Sequence, residues 1–224
     1  MIEIITTNMM EAKIIEKCGA DRIELISAFS EGGLTPSYAV IESTIKSTKL
    51  PVNVMIRPHS NSFVYAGFEI ENMKKDIDIV KSLGANGVVF GVLNENHEID
   101  EDKLKTLLEV CDTLDVTFHK AIDRTPNIKK AIKTLAKYPQ VTTVLTAGGM
   151  GNIEENLEIL KEIIKMPTHL EILLGGGLTL ANVENIKAKT NAKSFHFGTC
   201  VRTPNSNNGN IDEEKLKQLI KLLK

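Results

Sequence analysis

A chain of 224 residues, 42% apolar and 25% charged, can bury a full globular core. Its 27 Lys and Arg against 29 Asp and Glu leave a formal charge of −2, and no basic stripe invites nucleic acid. No window reaches the roughly 18 apolar residues of a membrane span, and Met1–Thr7 lack the charged leader and apolar core of a signal peptide. Three cysteines (Cys18, Cys111, Cys200) form no CxxC pair and suit a reducing compartment, so a cytoplasmic protein is expected.

One unit recurs along the chain: a short β-branched run, a polar loop, then a segment of helical period. The predicted strands are Glu3–Ile5, Arg22–Leu25, Val52–Arg57, Gly87–Phe90, Val116–His119, Thr143–Thr146, Leu170–Leu174 and Ser194–Phe197. Between them apolar residues fall at i, i+3, i+4 and i+7, as in Ile70, Met73, Ile77 and Val80 or Leu104, Leu107, Leu108 and Cys111. Met10, Ile14 and Cys18 share such a spacing, and Leu216, Leu219, Ile220 and Leu223 mark a last helix. Thr35-Pro36 and Thr125-Pro126 predict helix starts, and Gly19 and Gly84 predict helix ends. Thr203–Asn210, rich in Asn and Ser, reads as a surface loop. An open doubly wound sheet would show the same alternation. Eight units in this length favour a (β/α)8 TIM-type barrel, one domain over residues 1–224.

Alternation along each strand then predicts which side chains enter the barrel. Val52, Val54 and Ile56 should meet the helices, which turns Asn53, Met55 and Arg57 inward. The same parity points Glu3, Glu24, Thr117, His119, Ser194 and His196 inward. Charged groups in a barrel are costly unless paired or solvated, and strand ends line the working mouth of this fold. Glu24, Arg57, His119 and His196 are therefore candidate functional residues. The bland alternative is a network that only plugs the barrel, with Arg57 paired to Glu24 or Glu3.

Glycines cluster where the last strands end: Gly148-Gly149, Gly175-Gly176-Gly177 and Gly198. Such turns let backbone N–H groups approach an anion, although glycine also serves tight turns for its own sake. With Arg57 or Arg202 adding charge, they predict a small anionic ligand, for example a phosphorylated metabolite.

The run Gly19-Ala20-Asp21-Arg22-Ile23-Glu24-Leu25, followed by Glu31-Gly32-Gly33-Leu34-Thr35-Pro36-Ser37, strongly resembles the CutC family. The likeness continues through Val54–Pro58, Gly87–Leu93, Val116–Asp123, Leu145–Gly149, Gly175–Gly177 and Phe195-His196. It implies a TIM-type barrel, a cytoplasmic location, self-association as a homo-oligomer and a link to copper. Its motif positions fall on Glu24, Arg57, His119, Asp123 and His196, and Asp123 lies where it could orient the His119 ring. Three departures stand out. Ile26 replaces a cysteine found in many relatives, Phe197-Gly198-Thr199 replaces a small Ser/Ala-rich run, and His59-Ser60-Asn61-Ser62 replaces an Arg/Gly-Gly-Asp stretch.

Three functions stay open at this point. Copper is implied by the resemblance, but Cu(I) prefers gathered thiolates. Cys18 and Cys111 sit on core stripes, and only Cys200 falls near the mouth, so no metal ligands are assigned. A metal-free enzyme on a small anionic metabolite would use Glu24, His119, Asp123 and His196 as acid/base groups. Arg57, Gly148, Gly149, Gly175, Gly176, Gly177 and Gly198 would hold the ligand. A Schiff-base mechanism is disfavoured, because Lys120 has outward parity. The third reading is a barrel that serves as a binding protein.

Overall fold

Eight parallel strands close on one another in the computed structural model, which describes residues 1–224. They are β1 (Ile2–Thr6), β2 (Arg22–Leu25), β3 (Val52–Met55), β4 (Gly87–Phe90), β5 (Asp115–Phe118), β6 (Val141–Thr146), β7 (Glu171–Leu174) and β8 (Ser194–Phe197). The helices between and after them are α1 (Met9–Cys18), α2 (Tyr38–Ser47), α3 (Gly67–Ser82), α4 (Glu101–Cys111), α5 (Ile128–Leu135), α6 (Leu157–Ile164), α7 (Val183–Thr190) and α8 (Glu213–Leu223). The predicted (β/α)8 barrel is the observed fold. No helix is long and apolar enough to cross a membrane.

Register explains the interior. Glu3 of β1 lies opposite Arg22 of β2 on one side and His196 of β8 on the other, so closure brings these three side chains together. Val52, Val54 and Ile56 join the shell between strands and helices, as parity predicts, with Val88, Phe90, Val116 and Phe118. Ile5, Ile26, Met55 and Val89 form a small separate apolar cluster against Phe29. Charge and grease therefore share the barrel interior.

Several boundaries shift for local reasons. Sheet pairing of β3 ends at Met55, and the Arg57 N–H turns to the Thr35 hydroxyl oxygen at 2.8 Å. The strand β5 stops at Phe118, because His119 caps a 3-10 turn over Lys120–Arg124. The helix caps directly follow the Thr-Pro pairs: Ser37 precedes α2, and the Asn127 side chain accepts from Lys130 N–H before α5. Gly19 ends α1 at φ 89°, the left-handed geometry that glycine supplies. Of the predicted stripe on α1, Met10 is 60% exposed, while Ile14 and Cys18 pack half-buried against the core beside the buried Ala12 and Ile15.

The segment predicted as a plain loop carries structure at both ends. Two short strands, β9 (Arg202–Thr203) and β10 (Asn210–Ile211), pair antiparallel. The Arg202 guanidinium is fully buried and grips Glu11 of α1 with two bonds, at 2.6 and 3.0 Å. It also donates to the carbonyls of Ile5 and Gly209. Arg202 thus locks the chain's end onto β1 and α1 and does not line the mouth, although its Nε keeps no partner. Burial opposes ionisation of Glu11, but Arg202 prevails and holds that carboxyl below its ordinary value.

Replacing Arg202 by Ala should leave Glu11 buried without its cation and cost about 3–5 kcal/mol, read as a lower urea midpoint. The pair's contribution is complete above the unfolded carboxylate pKa and fades as pH falls through the lower folded value. Wild type should therefore lose more stability on acidification than the Ala variant, and equal losses would remove the pair from the account.

Candidate active site at the barrel mouth

A cavity of about 250 Å³ opens where the strands end, lined by side chains of β1, β2, β3, β6 and β8 and of the loops beyond the strands. Its floor holds the network set by strand register. Glu3 is fully buried, receives the Arg22 guanidinium, and accepts from His196 Nδ1 at 2.7 Å. Burial resists the Glu3 charge, yet Arg22 and His196 outweigh it and keep that carboxyl ionised below its usual range. The other imidazole nitrogen of His196, Nε2, lies 3.7 Å from Glu24 Oε2. Burial works against a charge on His196 as well, but Glu24 and Glu3 together raise it above the usual imidazole value. Arg22, two residues from Glu24 on the same strand face, was legible by parity and is the member the sequence reading missed.

Glu24 differs from Glu3 because its Oε1 has no hydrogen-bond donor. Burial pushes its carboxyl up to about 7, against the pull of His196 and with added repulsion from Glu3. A carboxyl poised there can give or take a proton at neutral pH.

His119 stands just past β5, at the start of the 3-10 turn. Its Nδ1 accepts the Ala121 N–H at 3.2 Å, so the ring proton belongs on Nε2, which has no acceptor in the protein. Burial first, and the Arg57 charge second, drop its pKa to about 3. The ring is therefore neutral. It packs on Phe63 with centroids 4.9 Å apart and lies against Gly91, where a Cβ would come 2.5 Å from Nδ1. Gly91 is thus part of the site, and its position just past β4 was the signal for it.

Arg57 enters the mouth as parity predicts but does not pair with Glu24 or Glu3, so the plug reading fails for it. Its guanidinium donates to the carbonyls of Glu31 and Gly33 at 3.0 and 3.1 Å and to Ser60 at 3.4 Å, and it lies 4.9 Å over the Phe63 ring. It is 7% exposed, its Nε is unsatisfied, and no carboxylate pairs with it. Lys120 also lines the cavity. Outward parity failed for Lys120 because the strand has already ended and the 3-10 turn rotates its stem over Gly176.

Asp123 does not orient His119. Its carboxylate accepts from the Thr146 hydroxyl and from the N–H groups of Ala147 and Gly149, at 3.0 and 3.1 Å for the amides. It serves the loop after β6, because the 3-10 turn aims it sideways rather than back at the imidazole. That loop also corrects the glycine prediction. The Gly149 N–H is spent on Asp123, the Gly148 N–H on Thr146, and the Gly175 N–H on the Thr146 carbonyl. Gly176, Gly177 and Gly198 do line the mouth, and their N–H groups have no acceptor in the protein.

A family model described as the CutC family matches residues 1–201. The chain belongs to the CutC family. It is 39% identical over 197 residues to the human copper homeostasis protein cutC homolog, covering 88% of this chain and 72% of that protein. A CutC family protein of Mesorhizobium japonicum is 34% identical, covering 92% of this chain and 80% of that one. The solved structure of a copper homeostasis protein CutC from Streptococcus agalactiae superposes with TM-score 0.84 at 32% identity, over 89% of this chain and 98% of that chain. Phosphoribosyl anthranilate isomerase from Thermococcus kodakaraensis shares architecture alone, with TM-score 0.71 and 14% identity over 100% and 98% of the two chains.

The family name directs attention to copper, and the side chains present do not suit Cu(I). None of the three thiols lines the mouth. Burial pushes Cys111 up to about 12 and Cys200 up to about 11, away from the thiolate a soft ion requires. Ile26, where the family resemblance leads one to expect a cysteine, is packed among apolar side chains. Ligand atoms of Glu3, Glu24 and His196 come within 4.8 Å of one another. That set is hard to borderline, and both Glu3 oxygens are already engaged by Arg22 and His196. A cation drawing on Glu3 would have to displace either the Arg22 guanidinium or the His196 imidazole.

Two outcomes follow. Nitrogen-15 NMR should show His119 as the neutral Nε2–H tautomer from pH 5 to 8, and a protonation step in that range would contradict the site's geometry. Anaerobic Cu(I) titration against a chelator should give no binding that depends on Cys200, His119 or His196, whereas loss of one equivalent in Cys200→Ser would restore a copper site.

Proposed function

We propose that this chain is a metal-independent barrel enzyme that performs acid/base chemistry on a small anionic metabolite held at its mouth. The observation that carries the reading is Arg57. A buried guanidinium without a carboxylate partner is expensive, and here it faces a cavity large enough for a metabolite. An anionic group from a ligand would complete its coordination. Lys120 and the free N–H groups of Gly176, Gly177 and Gly198 supply further donors to the same cavity. Glu24, with an open oxygen and a pKa of about 7, is the proton-transfer group, and His196 tunes it from behind. The copper homeostasis in the names of the relatives extends to this chain as a physiological setting rather than as a thiolate site.

Calorimetric titration with inorganic phosphate tests the anion site. Wild type should bind, and Arg57→Gln and Lys120→Met should each weaken binding roughly tenfold or more, as expected for charge-assisted hydrogen bonds of about 1.5–3 kcal/mol. Absence of phosphate binding by wild type, or affinity unchanged in both variants, would sink the proposal.

A further inference from the structure

Two buried polar atoms at the mouth lack partners, and they are of opposite kind. Glu24 Oε1 is an acceptor with no donor, and His119 Nε2–H is a donor with no acceptor. They project from β2 and from just past β5, with two strands between them in the closed barrel, and both side chains line one cavity. The cationic donors, Arg57 and Lys120, line it as well.

The state of His119 restricts what it can meet. Its Nδ1 is held as an acceptor by the Ala121 N–H, so the ring cannot relay a proton through that nitrogen without breaking the cap. Phe63 on one side and Gly91 on the other fix the ring plane. A neutral, rigid N–H buried beside a guanidinium is a poor proton donor at neutral pH. It is well suited to hydrogen-bond an uncharged oxygen that becomes negative during reaction, since the donor is already oriented when the charge develops. A carbonyl oxygen has that property, and a carboxylate base placed with a neutral imidazole donor is the arrangement that proton removal beside a carbonyl requires.

We infer that the mouth takes an anion-tailed carbonyl compound and moves the proton on the carbon next to its carbonyl, with Glu24 as base and His119 Nε2–H as the oxygen's donor. The inference rests on the anion site proposed above and specifies its substrate class. In the step, ionised Glu24 takes the proton through Oε1. The C–H electron pair forms the new C=C bond, and the carbonyl π pair moves onto oxygen, giving an enolate that His119 stabilises by hydrogen bonding. Return of the proton from Glu24 to the same carbon reforms the carbonyl and regenerates the enzyme, so the outcome is hydrogen exchange or epimerisation at that carbon with no oxidant or co-reactant. Arg57, Lys120 and the glycine N–H groups hold the anionic tail throughout.

The test uses dihydroxyacetone phosphate as the probe, at high protein concentration in deuterium oxide, with loss of its carbon-bound proton signals followed by NMR. Wild type should wash out these signals. Glu24→Gln should slow exchange by about 100-fold or more. His119→Ala and His119→Gln should each slow it by about 100-fold while inorganic phosphate affinity stays within about twofold, which also reports that the variants are folded. Phosphate binding by wild type without any exchange of the probe would overturn the carbonyl inference and leave the anion site standing. Wild-type exchange rates in both His119 variants would also overturn it. Failure of wild type to bind phosphate would remove the anion site itself and the inference with it.

Discussion

Every charge sealed inside this barrel must be matched by another charge or by fixed dipoles, and that requirement sorts its polar residues into two groups. Glu3 sits in register between Arg22 and His196 and is satisfied by both. Glu11 and Arg202 satisfy each other outside the barrel proper. These charges are each met by a charge of opposite sign, and the one unpartnered nitrogen that Arg22 and Arg202 each keep lies away from the mouth cavity. Arg57, Glu24 and His119 each keep an atom unsatisfied, and all three border the same cavity. Structural and candidate functional groups are thus told apart by whether the unpartnered atom belongs to a side chain that lines the cavity, rather than by residue type.

The accounting also gives the mouth a polarity. Its acidic side is Glu24 with His196 and Glu3 behind it. The opposite side carries Arg57, Lys120 and the neutral His119. Burial first and the Arg57 charge second keep the imidazole uncharged, so the cation at the mouth reinforces the neutral state of its neighbour. The apolar cluster of Ile5, Ile26, Met55 and Val89 lies in the barrel interior with this charge and limits the solvent that could screen it.

Strand alternation made most of this legible in the sequence. Asn53 and Met55 facing in against Val52 and Val54 facing out is a pattern that only one register satisfies, and it carried Arg57, Glu24, His119 and His196 to the mouth. The failures came where the strand ends and alternation no longer applies. Lys120 and Asp123 lie in a 3-10 turn whose geometry the residue spacing does not encode, so one was placed outside and the other against the wrong partner. Gly148, Gly149 and Gly175 look like Gly176 and Gly177 in the sequence. Which N–H groups are already spent depends on Asp123 and Thr146, more than 20 residues away in the case of Asp123. Arg202 was misread for the same reason, since its partner Glu11 lies 191 residues earlier.

Arg57 holds three carbonyls, from Glu31, Gly33 and Ser60, with the same guanidinium that faces the cavity. A ligand that draws on those N–H donors competes with the two loops for one group, so ligand affinity and loop order are thermodynamically linked, each altering the other by the same factor. Substitutions at His59–Ser62 can therefore act on the Arg57 guanidinium although none of these residues lines the cavity. The Ser60 carbonyl makes a loop outside the cavity one of the supports of the cation inside it.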